Sequence, residues 1–306
     1  MDIIEYESYQ EKPNHNNIPF PYLTYPCSIP HDFSQVPAHW HDEMEFIYIK
    51  KGRGIVSVDF RSLEVAAGDI AFICPGQLHS IHQLGQYSME YENIIFPLSL
   101  LNSRQADPVW ETYLAPIDLR RFRLLPCLHP DMPSYPFVAA CIDQIDDIRR
   151  TFPGAYELLI KGKLFELFFQ LYRHGLVAAP DAEDPGRRSK EKALEKSRQI
   201  LKYIEQHYQE PLSIKKLAEA VGFSQSHFMK FFKNTFGTSF TAYLNDYRLT
   251  KASRLLPASE DSILTVAAES GFENLSYFNR RFKERFGVTP REFRRQASSL
   301  PGSHPR

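Results

Sequence analysis

Leu217-Ala218-Glu219-Ala220-Val221-Gly222-Phe223 is answered further along the chain by Val266-Ala267-Ala268-Glu269-Ser270-Gly271-Phe272. The residues that follow, Phe228, Phe232, Lys233, Phe236 and Gly237, recur 50 residues on as Phe278, Phe282, Lys283, Phe286 and Gly287. Self-similarity at a fixed spacing means one structural unit used twice. Each copy reads as a short helix, a turn at apolar-Ala-x-x-x-Gly-Phe, a polar capping stretch, and a second helix closed by glycine. Gly222 and Gly271 tolerate the positive φ of a sharp turn, and Ala218 and Ala267 are small enough for close helix contact. The pattern is a helix-turn-helix written twice.

In the second helix of each copy the phenylalanines fall at i, i+4 and i+8, which marks the buried stripe and leaves the opposite face to solvent. That face presents Ser226, Met229, Lys230 and Lys233 in the first copy, and Leu275, Ser276, Asn279, Arg280 and Lys283 in the second. Short polar, amide and cationic side chains near a helix start reach base edges in a major groove, Asn suiting adenine and Arg guanine. Lys233 and Lys283, about a turn later, suit phosphates. Between the copies, 240–256 has a helical pattern and spans about 25 Å at 1.5 Å per residue. With one DNA turn at about 34 Å, the two reading helices are expected to enter successive major grooves on one face of double-stranded DNA.

Working outward, charge divides in the same place. Residues 1–190 carry 17 Lys and Arg against 25 Asp and Glu, a net of −8, whereas 191–306 carry 19 against 12, a net of +7. A basic half gains affinity for phosphates by counterion release, and an acidic half is repelled. The stretch from Ala178 to Ser189, with two prolines, a glycine and no apolar period, reads as a linker. The expected domains are therefore 1–178, a linker at 179–191, and a DNA-binding domain at 192–298.

The 306 residues, 43% hydrophobic and 24% charged, suit a globular chain with two cores. Four separated cysteines make no C-x-x-C pair and fit a reducing compartment. With no basic start followed by an apolar run after Met1, and no stretch of about 20 apolar residues, the expected location is the cytoplasm, away from membranes. Residues 20–100 hold short β-like runs punctuated by glycine, such as Glu45–Ile49, Gly54–Val58 and Asp69–Ile73, and suggest a small β-barrel. Helical periods follow over 137–150 and 155–173. The fold class expected is α+β with two domains: a β-barrel with two helices, then an all-α double helix-turn-helix. The helix over 155–173 is more apolar than one covered face requires, so a homodimer is expected through it.

At this point the residues resemble a known family. From about 196 to 298, above all in Gly271-Phe272, Tyr277-Phe278, Arg281-Phe282-Lys283, Phe286-Gly287, Thr289-Pro290 and Phe293-Arg294, the chain is similar to the AraC/XylS transcription regulators. The resemblance implies base or backbone contact from Ser226, Met229, Lys230, Leu275, Ser276, Asn279 and Arg280. Met229 and Leu275 depart from it, being apolar where members often carry amides. In the first half, His39-Trp40-His41-Asp42-Glu43-Met44-Glu45 with Gly52 resembles the first cupin motif, and Gly68, Pro75-Gly76 and His79 the second. In metal-binding cupins the matching positions hold an ion, so His39, His41, Glu45 and His79 suit either a metal or a polar effector. The family favours the effector, with Trp40 and Tyr48 added to that site, Phe46 and Phe72 as apolar walls, and no metal, cofactor or catalytic residue expected. It further implies a sugar-like effector, activation of target genes and RNA polymerase as a partner. The alternative is a metal-dependent cupin enzyme fused to a DNA-binding module.

The charge division and the repeat together carry a first test: residues 190–306 alone are expected to bind DNA with affinity falling steeply as salt rises. A folded fragment without DNA affinity at low salt contradicts it.

Overall fold

A computed structural model describes residues 20–32, 35–103, 105–179 and 187–298. They fall into two compact units that part between Arg188 and Ser189.

The first unit opens with seven strands: β1 (Leu23–Ile29), β2 (Gln35–His39), β3 (Met44–Val58), β4 (Arg61–Ala66), β5 (Ile70–Ile73), β6 (His79–Gln83) and β7 (Met89–Phe96). A short helix α1 (Ala115–Asp118), strands β8 (Arg123–Leu124) and β9 (Cys127–Leu128), helices α2 (Tyr135–Thr151) and α3 (Tyr156–Arg173), and β10 (Val177–Ala178) follow. All ladders among the described residues are antiparallel. One sheet runs β1-β7-β3-β5-β9, and β3 also pairs β4 and β6, with β2 on the far side of β6. The α+β class stands, but among the described residues the ladder does not close into the small barrel expected. The 15-residue β3 gives its first half to one sheet and its second half to the other, and no pairing joins the outer strands β1, β9, β2 and β4 into a ring.

Side chains alternate across β3, and the alternation decides what each face does. Met44, Phe46 and Tyr48 join the core under α2 and α3, with Phe72, Phe96, Val138, Ile145 and Leu164. Phe46 meets Phe72 and Phe96 edge-on at ring separations of 5.1 and 5.5 Å. Glu45, Ile47 and Ile49 take the other face and are also buried. In α3 the inward stripe is Ile160, Leu164, Leu167, Phe168 and Leu171, leaving Leu158 and Phe169 73% and 57% exposed. Two apolar stripes thus run along one helix, and only one meets the sheet.

The second unit holds α4 (Arg187–His207), α5 (Ile214–Ala220), α6 (Gln225–Phe236), α7 (Phe240–Ala258), α8 (Ile263–Glu269), α9 (Leu275–Phe286) and α10 (Pro290–Ser298). Helix α4 begins within the stretch expected as linker, of which 180–186 lie outside the described residues. Ser213, Ser224, Ser239, Ser262 and Asn274 each cap a helix by accepting the backbone N–H three residues on. These oxygens satisfy donors that the first helical turn leaves unpaired. The two turns match: Phe223 N–H donates to the Ala218 carbonyl at 2.8 Å and Phe272 N–H to the Ala267 carbonyl at 2.9 Å. Phe228, Phe232 and Phe236 are buried beneath α6, and Phe278, Phe282 and Phe286 beneath α9.

A charged cluster lies where α2 packs on the first unit's sheet. Lys50 Nζ lies 3.1 Å from Glu92 Oε2 and 3.5 Å from Asp146 Oδ2, and 3.6 Å over the Tyr48 ring. Burial, then the charge of Glu92, pushes the Asp146 carboxyl up to about 7 from a model-compound value of 3.8. A carboxyl raised in the folded state stabilises while protonated, and that contribution fades as pH rises through the folded value. Asp146→Asn is therefore expected to gain stability relative to the unsubstituted chain between about pH 4 and pH 7. Both tryptophans, Trp40 and Trp110, lie in this unit, so fluorescence-monitored urea unfolding reports it selectively. A stability difference independent of pH contradicts the assignment.

Candidate functional site

The second unit carries an exposed cationic face and the first a cluster of histidines around a carboxylate. In the second unit, burying the Phe stripes turns the opposite faces of α6 and α9 outward. Ser226, Met229, Lys230 and Lys233 are all exposed on α6. On α9, Ser276, Arg280 and Lys283 are exposed and Asn279 is half-buried. Leu275 is half-buried as well and packs with part of its side chain on the core that holds Phe278, Phe282 and Phe293. Arg280 lies along its own helix, with its guanidinium 5.5 Å from the Tyr277 ring centre and 3.9 Å from Glu284. The cap at Ser224 also sets Gln225 and His227 in the exposed first turn of α6 beside Ser226. Both are candidates for the same surface although they do not lie opposite the Phe stripe, and the serine cap is the sequence signal that marks them.

In the first unit, His39 ends β2, His79 starts β6 as its ladder partner, Glu45 comes from β3, and His41 from the loop between β2 and β3. One donor atom from each lies within 4.8 Å of the others. The ring nitrogens have separate tasks. Each Nδ1 faces a backbone carbonyl: His39 that of Pro37 at 2.9 Å, His41 that of Glu43 at 3.2 Å, and His79 that of Gln77 at 3.0 Å. A neutral imidazole donating from Nδ1 keeps its lone pair on Nε2. His41 Nε2 and His79 Nε2 both lie 2.8 Å from Glu45 Oε2, and the buried His79 Nε2 makes no well-formed hydrogen bond.

Two lone pairs facing one carboxylate oxygen repel unless protons or a cation stand between them. Burial pushes the Glu45 carboxyl up, yet the imidazoles of His79 and His41 outweigh it and hold the group well below the usual range. Three imidazoles and a carboxylate, with carbonyls fixing the tautomers behind them, fit one divalent ion such as zinc, manganese or iron.

Trp40 is half-buried at the rim, 5.8 Å beneath the Arg120 guanidinium. Arg120 also pairs with Asp42 at 2.9 Å and lies so close over Gly76 that a Cβ there would fall 2.2 Å from Cζ. Arg120, far off in sequence, carried no motif. Tyr48 is not in the site: it lies on the opposite face of β3 and shares a hydrogen bond with Tyr135 at 3.2 Å. Phe46 and Phe72 stand with it under the helices and supply no wall to the cluster.

An AraC-like ligand binding domain family matches residues 27–160, and a helix-turn-helix domain family matches residues 217–296. The uncharacterized HTH-type transcriptional regulator YdeC of Bacillus subtilis is 23% identical over 95% of this chain and 98% of its own. An uncharacterized HTH-type transcriptional regulator of Staphylococcus aureus is 36% identical over 33% of this chain and 13% of its own. Among solved structures, ToxT of Vibrio cholerae aligns with 91% of this chain and 99% of its own at 16% identity, with a TM-score of 0.44.

The inward Nε2 atoms make metal content a direct test. If the cluster holds an ion, the purified chain, incubated with zinc, manganese or iron and desalted, retains about one ion per chain by mass spectrometry. Replacing His39 and His41 by Ala should abolish it, and an unsubstituted chain that retains none contradicts the fit.

Proposed function

The chain belongs to the AraC family of transcription regulators, and on that premise we propose that it reads double-stranded DNA with α6 and α9 and answers a small-molecule effector held among His39, Trp40, His41, Glu45 and His79. The observation that carries this reading is the pair of matched helices whose Phe stripes are buried and whose opposite faces are polar, cationic and exposed. Ser226, Met229, Lys230, Ser276, Asn279 and Arg280 lie on the reading face, with Lys233 and Lys283 on phosphates. Leu275, in the first turn of α9, adds an apolar contact to that face. Sensing and dimerisation go to residues 1–178, the link to 179–191 and DNA to 192–298.

A sugar-like effector suits polar groups on three imidazoles and a carboxylate with one aromatic plane at the rim. The exposed Leu158, Leu159, Phe165 and Phe169 on α3 support a homodimer. Activation of target genes, with RNA polymerase as a further partner in the cytoplasm, completes the proposal. The second reading, a metal-dependent enzyme joined to a DNA-binding unit, is favoured by the Nε2 geometry alone. An ion held by His39, His41, Glu45 and His79 supplies a Lewis-acidic centre. A regulator returns its effector unchanged, whereas an enzyme consumes it.

Arg280 and Lys283 separate base reading from phosphate contact. Arg280→Ala is expected to cost about 1 to 3 kcal/mol on the cognate site and to relax preference at a single base pair. Lys283→Ala should weaken cognate and random duplexes alike and flatten the salt slope by about one. Equal loss on both duplexes for Arg280→Ala, with base preference intact, contradicts its assignment as a base reader.

A further inference from the structure

The two turn glycines occupy equivalent places in the repeat but not equivalent surroundings. Gly222, with φ of +71°, has open space where a Cβ would stand. Gly271, with φ of +86°, has the Tyr208 carbonyl oxygen 2.5 Å from that point, Arg248 Nε at 2.8 Å and Gln209 Cα at 3.0 Å. Residues 208–210 lie in the loop between α4 and α5 that leads into the first copy, whereas Gly271 is the turn of the second. The second turn is thus pressed against the backbone that leads into the first copy.

Around this approach the carbonyls of 208–210 are taken up by one side chain. Arg248, on α7, donates from Nε to the Tyr208 carbonyl and from Nη2 to the Glu210 carbonyl, each at 2.7 Å. Gln209 Nε2 donates across to the carbonyl of Glu269, the last residue of α8, at 2.7 Å. The same α7 also holds the second reading helix: the buried Asn245 donates to the Tyr277 hydroxyl at 2.8 Å, and Arg285 donates to the Asp246 carbonyl. Tyr208 packs edge-on against Tyr247 at 5.4 Å. Helix α7 is therefore more than a spacer. Its Arg248 grips the loop before the first helix-turn-helix, its Asn245 and the Asp246 carbonyl grip α9, and that loop touches the second turn directly at Gln209 and Gly271.

We propose that residues 208–210, Arg248 and Gly271 form a clamp that fixes the two helix-turn-helix copies into one rigid reader, so that the chain accepts two half-sites only at a single separation along the duplex. Arg248 and Gln209 are positioning residues. They lie outside the exposed faces of α6 and α9 and act on DNA through the placement of those faces. One inserted base pair shifts a half-site by about 3.4 Å and a tenth of a helical turn, which a rigid pair cannot follow. A flexible pair re-registers and tolerates it.

The inference rests on the DNA-binding reading, and the test keeps the two apart. Full-length chain is used to select binders from a random duplex pool, and the spacing between the two enriched half-motifs is scored. The unsubstituted chain and Gly222→Ala, which carries the same positive φ without the clash, are expected to enrich one spacing. Gln209→Ala, which loses only the bond to Glu269, and Gly271→Ala are expected to enrich neighbouring spacings as well. Inserting one base pair into the selected site should weaken the unsubstituted chain about 10-fold or more. The two clamp variants should lose at least threefold less than that. Gln209→Ala sits at an exposed loop, so it decides the matter if Gly271→Ala does not fold. Broad spacing for the unsubstituted chain, or a single unaltered spacing and insertion penalty for Gln209→Ala, overturns the clamp while leaving DNA binding in place. Enrichment of no sequence by the unsubstituted chain overturns the DNA reading and the clamp with it.

Discussion

Three phenylalanines at four-residue intervals, twice over, are the constraint from which the second unit follows. Phe228, Phe232 and Phe236 stack along one side of α6 and Phe278, Phe282 and Phe286 along one side of α9, with successive rings 4.3–5.6 Å apart. Truncating a buried Phe to Ala costs about 3–5 kcal/mol, a large share of what holds a unit of this size together. Because the rings must go inward, Lys230, Lys233, Ser276, Arg280 and Lys283 have nowhere to go but out. Burial on one side thus composes the surface on the other, and a net charge of +7 over 191–306 favours a polyanion there.

The first unit uses the alternation of a strand in the same way. On β3, Phe46 and Tyr48 belong to the helix-covered core, while Glu45 belongs to the opposite face and meets His41 and His79. The backbone carbonyls of Pro37, Glu43 and Gln77 hold the three imidazoles with Nδ1 outward. Orientation there is set by the backbone of β2 and of the neighbouring loops, so the four side chains are held in place without a ligand and little ordering is left for any binding to meet.

The repeat was legible because it consists of local signals that reinforce one another: glycine at a positive-φ turn, serine or asparagine at each cap, and Phe at helical spacing. The linker end was less so, since Arg187 to Glu191 are good helix formers that composition alone assigned to a hinge. Tyr48 was placed in the site by its nearness to Glu45, although period two puts residues three apart on opposite faces of a strand. The helix over 155–173 is apolar beyond one face, and the stripe through Ile160, Leu164 and Leu171 is the one the core takes. Two stripes on one helix cannot be ranked without knowing what lies opposite. Arg120 and the clamp at Arg248 depend on residues brought together from 38 to 78 positions apart, and no local pattern announces such pairs.

The account stands on one chain placing two helices in neighbouring grooves from one side. Hydroxyl-radical footprinting of the full-length chain on a selected duplex tests that most directly. The account predicts two protected patches per chain on one face of the DNA, about 10 base pairs apart from centre to centre. A single protected patch per chain, or two patches on opposite faces, contradicts it.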